Sequence, residues 1–181
     1  MYSNKLFVGT ILLILSGCGS IQDDIYPSGS DQRPPVECGV AGPYVCQVAP
    51  DFTLSDSLEN PVTLSSIVPV NTGVVLYFTM WCPTCDSHMM YMQDVVIPAF
   101  PNVAFFAVDY VSGSVSATRT AETSNGYAGS GFTVLADTAQ SLLNEYNGTM
   151  ATTVVIDKNG IVQMNETFKT NKLQSVLGGL P

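Results

Sequence analysis

The apolar, β-branched and aromatic run Val74-Val75-Leu76-Tyr77-Phe78-Thr79 is followed by Trp81-Cys82-Pro83-Thr84-Cys85 and then by a glycine-free stretch to about Val96. This order constrains the fold more than any other feature. The run reads as a strand covered on both faces. Pro83 fits the first turn of a helix, where its missing N–H costs nothing. Two thiols separated by two residues at a helix start can close a small disulfide ring and reopen it with little backbone movement. Orphan N–H groups and the macrodipole at that helix end favour a thiolate. Cys82 is therefore expected as the nucleophile, with a pKa below the usual ~8.5. Cys85, one turn further in, is expected to resolve a mixed disulfide.

The same spacing also serves haem attachment and zinc knuckles. Haem attachment wants His directly after the second Cys, where this chain has Asp86, and a structural zinc site wants a second ligand pair, for which Cys38 and Cys46 are unsuitably spaced. Neither a metal nor another cofactor is expected. A purely stabilising disulfide is disfavoured too, because so small a ring gains little chain entropy.

The surrounding elements alternate. Phe52 to Leu54 and Val62 to Leu64 flank a turn at Asp56 to Asn60 and suggest a hairpin. Asn102 to Asp109 and Phe132 to Ala136 read as strands, and Ser114 to Ser124 and Thr138 to Tyr146 as helices. Thr152 to Asp157, a Lys158-Asn159-Gly160 turn and Ile161 to Asn165 form a second hairpin, and a short helix at Asn171 to Leu177 ends the chain. Strands alternating with helices and closing on a hairpin predict an α/β sandwich with a mixed central β-sheet.

The N-terminus carries different information. Lys5 precedes the apolar run Leu6 to Leu15, which is too short to span a bilayer as a helix of about twenty residues, and residues 1–17 therefore read as a signal peptide. Leu15-Ser16-Gly17-Cys18 resembles the lipobox of bacterial lipoproteins, which makes Cys18 the expected lipidation site and membrane attachment. Residues 18–45 are expected as the lipidated Cys and a flexible tether, rich up to Val36 in Ser, Gly, Asp and Pro, and residues 46–181 as the domain. Export permits disulfides. Setting Cys18 aside leaves Cys38, Cys46, Cys82 and Cys85, which allow three connectivities. Cys38 and Cys46 are expected to form a structural disulfide that fastens the tether to the domain. The formal charge of −9, with only six Lys and Arg, excludes a nucleic-acid partner, which would need a basic face.

Ala49-Pro50-Asp51-Phe52-Thr53-Leu54, Trp81-Cys82-Pro83-Thr84-Cys85 and Thr152-Thr153-Val154-Val155-Ile156-Asp157-Lys158-Asn159-Gly160 occur in that order. They resemble the successive hallmarks of the redoxin branch of thioredoxin-like proteins, over roughly Val48 to Leu177. The resemblance implies a thioredoxin-like sandwich with an N-terminal hairpin and flanking helices. It implies a thiol-disulfide oxidoreductase in which Cys82 and Cys85 are catalytic, with Trp81, Pro83, Thr84 and Ala151 shaping the site. It further implies protein disulfide or dithiol substrates and a membrane electron donor. That is the pattern of tethered reductases servicing disulfides on the periplasmic side of the cell envelope, including those of apocytochromes c.

Two departures stand out. The family carries a cis-proline directly before the Thr-Thr pair, and this chain has Ala151 there. A cis bond to another residue costs about 2.5–4 kcal/mol, so Met150–Ala151 is expected to be trans. Many thioredoxins also place a buried carboxylate six residues before the first Cys, where this chain has Leu76, leaving Asp86 as a candidate proton carrier.

Two alternative functions compete. Thr79 three residues before Cys82 also resembles the peroxidatic turn of peroxiredoxins, although Val75 stands where that family expects proline and Arg119 is the only arginine after Cys82. A copper-binding or copper-delivery role would draw on the dithiol with His88, Met89, Met90 and Met92, since thiolate and thioether ligands suit Cu(I).

Overall fold

The structure, a computed structural model, describes residues 35–181. The signal peptide expected at 1–17, the lipidation site expected at Cys18 and the tether residues up to 34 lie outside the described residues. A compact unit runs from Val36 to Pro181. Its start is earlier than the boundary expected at Cys46, and residues 36–45 belong to it. The reason is local bonding. Cys38 and Cys46 are joined in a disulfide. The Cys46 N–H donates to Val162 O at 2.9 Å and the Val162 N–H to Gln47 O at 2.9 Å, while Asn165 Nδ2 donates to Pro43 O at 2.9 Å.

In chain order the elements are β1 (Thr53–Ser55), β2 (Pro61–Thr63), α1 (Leu64–Ile67), β3 (Gly73–Thr79), α2 (Pro83–Tyr91), β4 (Val103–Asp109), α3 (Val115–Ser124), β5 (Thr133–Ala136), α4 (Ser141–Glu145), β6 (Thr152–Asp157), β7 (Val162–Thr167) and α5 (Thr170–Gly178). β1 and β2 form a separate antiparallel hairpin, with Asp56 Oδ1 accepting from the N–H groups of Leu58 and Asn60 inside its turn. The main sheet has the order β5-β4-β3-β6-β7. β3 is parallel to β4 and β4 to β5, whereas β6 is antiparallel to both β3 and β7. This is the mixed-sheet α/β sandwich that the sequence predicts.

Every residue of β3 is buried, which explains its unbroken apolar run. Alternation assigns its side chains to two cores. Val75 and Tyr77 face the layer holding Cys85, Met89, Met92 and Val96, together with Leu173 and Leu177 of α5. Val74, Leu76 and Phe78 face the other layer, with Phe52, Leu64, Leu142 and Tyr146. The dithiol helix therefore packs on the face that carries Tyr77.

α2 continues into a π-helical segment, Met92–Val96, and a final turn, Ile97–Ala99. The Ile97 N–H reaches back five residues to Met92 O. Pro98 follows, and a proline inside a helix has no N–H for the carbonyl four residues back and collides with it. A widened turn removes that conflict. The sequence predicts one helical stretch to about Val96, and the structure widens its last turns ahead of Pro98.

The Cys38–Cys46 bridge spans a sequence separation of eight. Closing so short a loop restricts the unfolded chain by about 2–3 kcal/mol. The Cys38→Ser/Cys46→Ser double variant is expected to lose about that much stability in urea titration. Thiol titration of Cys82 and Cys85 in the folded double variant is expected to be unchanged.

Candidate active site

Cys82 is the N-cap of α2. Its backbone is extended, Pro83 occupies the first turn, and Cys82 Sγ accepts the Cys85 N–H at 3.2 Å. One of the orphan donors of the helix end is thereby aimed at sulfur. Cys82 is half-buried and Cys85 is fully buried. The two sulfurs are unbonded and 2.7 Å apart, close enough for one thiol to donate to the other sulfur. Burial pushes the Cys85 thiol up. Hydrogen bonds from Cys82, from the Met80 and Cys82 backbone and from Thr79 outweigh burial, and Cys85 titrates below the ordinary thiol value.

The residues around the pair divide into rim and floor. Pro83 and Thr84 are exposed on the rim. Trp81 is half-buried beside Tyr127, with ring centroids 6.3 Å apart, and its indole N–H is buried without a partner. Trp81 has φ 58°, a left-handed backbone that costs a non-glycine residue about 1–2 kcal/mol. Its N–H donates to Thr79 Oγ1 at 3.1 Å, which ties the turn to the end of β3. Strained backbone of this kind is held only where the surroundings over-determine it.

On the floor, Tyr77 is a polar side chain of β3 beside Cys85. Leu76, at the position of the family's carboxylate, projects into the opposite core by strand alternation, and Tyr77 shares the core of Cys85. The Tyr77 phenol is held far above its ordinary value, first by burial and then by the adjacent Cys85. It lies 3.0 Å from Nδ1 of His88, whose ring stacks on Phe168 at 4.3 Å between centroids. Burial holds His88 below its ordinary value of 6.5. The neutral imidazole is thereby favoured, and in that form Nδ1 accepts from the Tyr77 hydroxyl. Asp86, the proton-carrier candidate, accepts the Tyr127 hydroxyl at 2.5 Å. Tyr77 was hidden in the sequence within an apolar run, where its hydroxyl carries no signal. The alternation of that run, placing Val75 and Tyr77 with Thr79, could have found it.

His88 gives a pH prediction. Its folded pKa lies below the unfolded value, so the contribution to stability is complete above about 6.5 and is lost as pH falls through the folded value. The groups around its ring are the Tyr77 hydroxyl, Lys169 and Lys172 along the neighbouring groove, and Glu166, which pairs with both lysines. Stability in urea is expected to decline from about pH 7 to about pH 5, above the carboxylate range of Glu166 and Asp51. His88→Phe is expected to flatten the decline, and an equally steep decline in that variant would contradict it.

Opposite the dithiol, the Met150–Ala151 peptide is trans, there being no cis peptide bond among the described residues. Ala151 is buried with φ 64°. Its N–H donates to Phe78 O at 2.9 Å, and its carbonyl accepts from the Phe168 N–H at 2.8 Å. Met150 Sδ lies 3.4 Å from Cys82 Sγ. The copper ligand set considered from sequence does not assemble. Met89 and Met92 are completely buried in the core, Met90 is 52% exposed, and His88 is engaged by Tyr77 and Phe168. Helical spacing turns Met90 away from the buried face that Met89 and Met92 share. Arg119 pairs with Glu122 at 2.8 Å.

Comparison with known proteins adds the following. The AhpC/TSA family matches residues 45–165. A disulfide oxidoreductase secreted by Mycobacterium tuberculosis and homologous to E. coli DsbE is similar at 22% identity, with a TM-score of 0.55, covering 71% of this chain and 96% of that one. Mycobacterium tuberculosis dsbF, in mixed oxidized and reduced forms, is similar at 23% identity and TM-score 0.57, covering 72% and 95%. The reduced 2-Cys peroxiredoxin of Plasmodium vivax is similar at 22% identity and TM-score 0.59, covering 75% and 80%. These likenesses establish the fold. None of the curated proteins matches the chain.

Proposed function

The chain belongs to the AhpC/TSA family, and from that premise we propose that it is a thiol-disulfide oxidoreductase acting on protein disulfides through Cys82 and Cys85. The observation that carries the proposal is the unequal exposure of two unbonded sulfurs 2.7 Å apart at a helix N-terminus. Cys82 is open to a substrate and Cys85 is not.

In the reducing direction the Cys82 thiolate attacks one sulfur of a substrate disulfide. The substrate S–S bond breaks, one substrate sulfur leaves as thiolate, and the other is bonded to Cys82. The Cys85 thiolate then attacks Cys82 Sγ, expels the second substrate thiolate and closes the Cys82–Cys85 disulfide. Two electrons pass from the dithiol to the substrate, and a further reductant must reopen the ring. Protons reach the substrate sulfurs from solvent and from Cys85. In the mixed disulfide Cys82 has no proton left to donate, and hydrogen bonds from the Met80 and Cys82 backbone and from Thr79 are what favour the attacking Cys85 thiolate.

The cellular setting belongs to the same proposal. The signal peptide at 1–17, lipidation at Cys18 and a tether would hold the domain on the periplasmic side of the envelope, where a membrane donor could supply electrons. Among the described residues no helix is long and apolar enough to cross a membrane.

The test is to present the reduced protein separately with a disulfide-bonded peptide and with hydrogen peroxide, following oxidation by quenched mass spectrometry. Exchange with the peptide ending in a Cys82–Cys85 disulfide is the expected result. Oxidation much faster by peroxide than by the peptide would replace the proposal with a thiol peroxidase. The equilibrium potential against glutathione then gives the direction, a low value meaning a reductase and a high value an oxidase.

A further inference from the structure

We propose that the reduced protein binds one Cu(I) ion at a three-sulfur site formed by Cys82 Sγ, Cys85 Sγ and Met150 Sδ. The site uses the sulfurs of the exchange reaction but does not depend on that reaction being the physiological one.

Cys82 Sγ is the centre of the arrangement, 2.7 Å from Cys85 Sγ and 3.4 Å from Met150 Sδ. A thiolate–metal bond is about 2.3 Å, so donors on one ion can stand up to about 4.6 Å apart. Both separations fall inside that limit, and small side-chain rotations open them around an ion. The third donor arrives from a loop remote in sequence. Ala151, with its left-handed backbone and its bonds to Phe78 and Phe168, fixes the residue next to Met150. The 41% exposed Met150 side chain then stands over the half-buried Cys82.

The donor chemistry selects the ion. Thiolates with a thioether favour Cu(I). Structural zinc takes four ligands drawn from Cys, His, Asp and Glu, and among the described residues there is no group of three such side chains placed to hold a metal. His88, the one histidine of the sequence, is engaged by Tyr77 and Phe168. Coordination releases the remaining thiol protons to solvent, with no change of oxidation state at copper or sulfur. The half-open setting lets the ion enter and leave. Ion and disulfide exclude each other, because Cu(I) needs both sulfurs as reduced thiolates and the S–S bond leaves neither in that form.

The experiment is an anaerobic Cu(I) titration of the reduced protein against bathocuproine disulfonate, whose absorbance reports the copper it retains. One Cu(I) per chain is expected, with none bound by the disulfide form. Met150→Leu keeps the dithiol and nearly the side-chain volume but removes the thioether, and is expected to weaken Cu(I) affinity about tenfold or more. X-ray absorption is expected to give three sulfur neighbours in the parent and two in the variant. Unchanged affinity with two sulfurs in both proteins would overturn the site, as would zinc bound as tightly as copper. Peptide-disulfide exchange by the metal-free protein is measured alongside, so that loss of copper binding and loss of exchange are scored independently.

Discussion

Cys82→Ser is expected to abolish exchange with a disulfide peptide, lowering the rate by about 10³-fold or more, whereas Cys85→Ser is expected to leave the first attack intact and trap the substrate as a mixed disulfide. The asymmetry follows from position. Cys82 is half-buried at the helix end, and Cys85 is fully buried behind it. Without Cys82 a substrate disulfide meets serine hydroxyl, which is no nucleophile toward sulfur at neutral pH. Without Cys85 the first bond forms and no thiol of the compact unit can expel the substrate, its only other cysteines being bonded to each other. Mass spectrometry after acid quenching is expected to find the Cys85→Ser adduct at one substrate per chain. Equal residual turnover in both variants would contradict these roles.

The parts of this protein that were legible in the sequence are those where backbone demand and side-chain chemistry coincide. Val74 to Thr79 had to be a doubly covered strand because no polar face interrupts it. Pro83 marked a helix start, and Asn159-Gly160 marked a hairpin. The order of these signals led to the sandwich. What stayed hidden depends on long-range placement. The Met150 thioether reaches Cys82 across a sequence separation of 68, and no periodicity encodes such a contact. Leu76 stands six residues before the first Cys, where many thioredoxins place a buried carboxylate. The register of β3 turns it into the other core and brings Tyr77 to the dithiol layer instead. The early start of the compact unit was masked by composition. Residues 36–45 are mostly exposed and look like linker, yet a disulfide and backbone bonds to β7 hold them in place.

Ala151→Pro, the substitution that restores the residue of the resembling family, is expected to destabilise this protein by about 3 kcal/mol or more. Proline fixes φ near −65°, while Ala151 sits at φ 64°. Proline also has no N–H, and the Ala151 N–H donates to Phe78 O at 2.9 Å at a position only 1% exposed to solvent. The substitution therefore leaves a carbonyl at the end of β3 without its donor and forces the loop into another path. That path would carry Met150 away from Cys82 and disturb the Phe168 N–H bond to the Ala151 carbonyl, so exchange and Cu(I) binding are expected to fall together with the melting temperature. Ala151→Gly separates backbone strain from loss of the donor. Glycine adopts the left-handed conformation without penalty and keeps the N–H, removing a cost of about 1–2 kcal/mol for alanine there. Greater chain entropy of glycine in the unfolded state offsets roughly 0.5–1 kcal/mol of that gain. The glycine variant is thus expected to melt within a few degrees of the parent, at or above it, and the proline variant far below. A proline variant as stable as the parent would mean that this loop can take up the proline-compatible backbone after all, and that the left-handed geometry at Ala151 does not govern where Met150 stands.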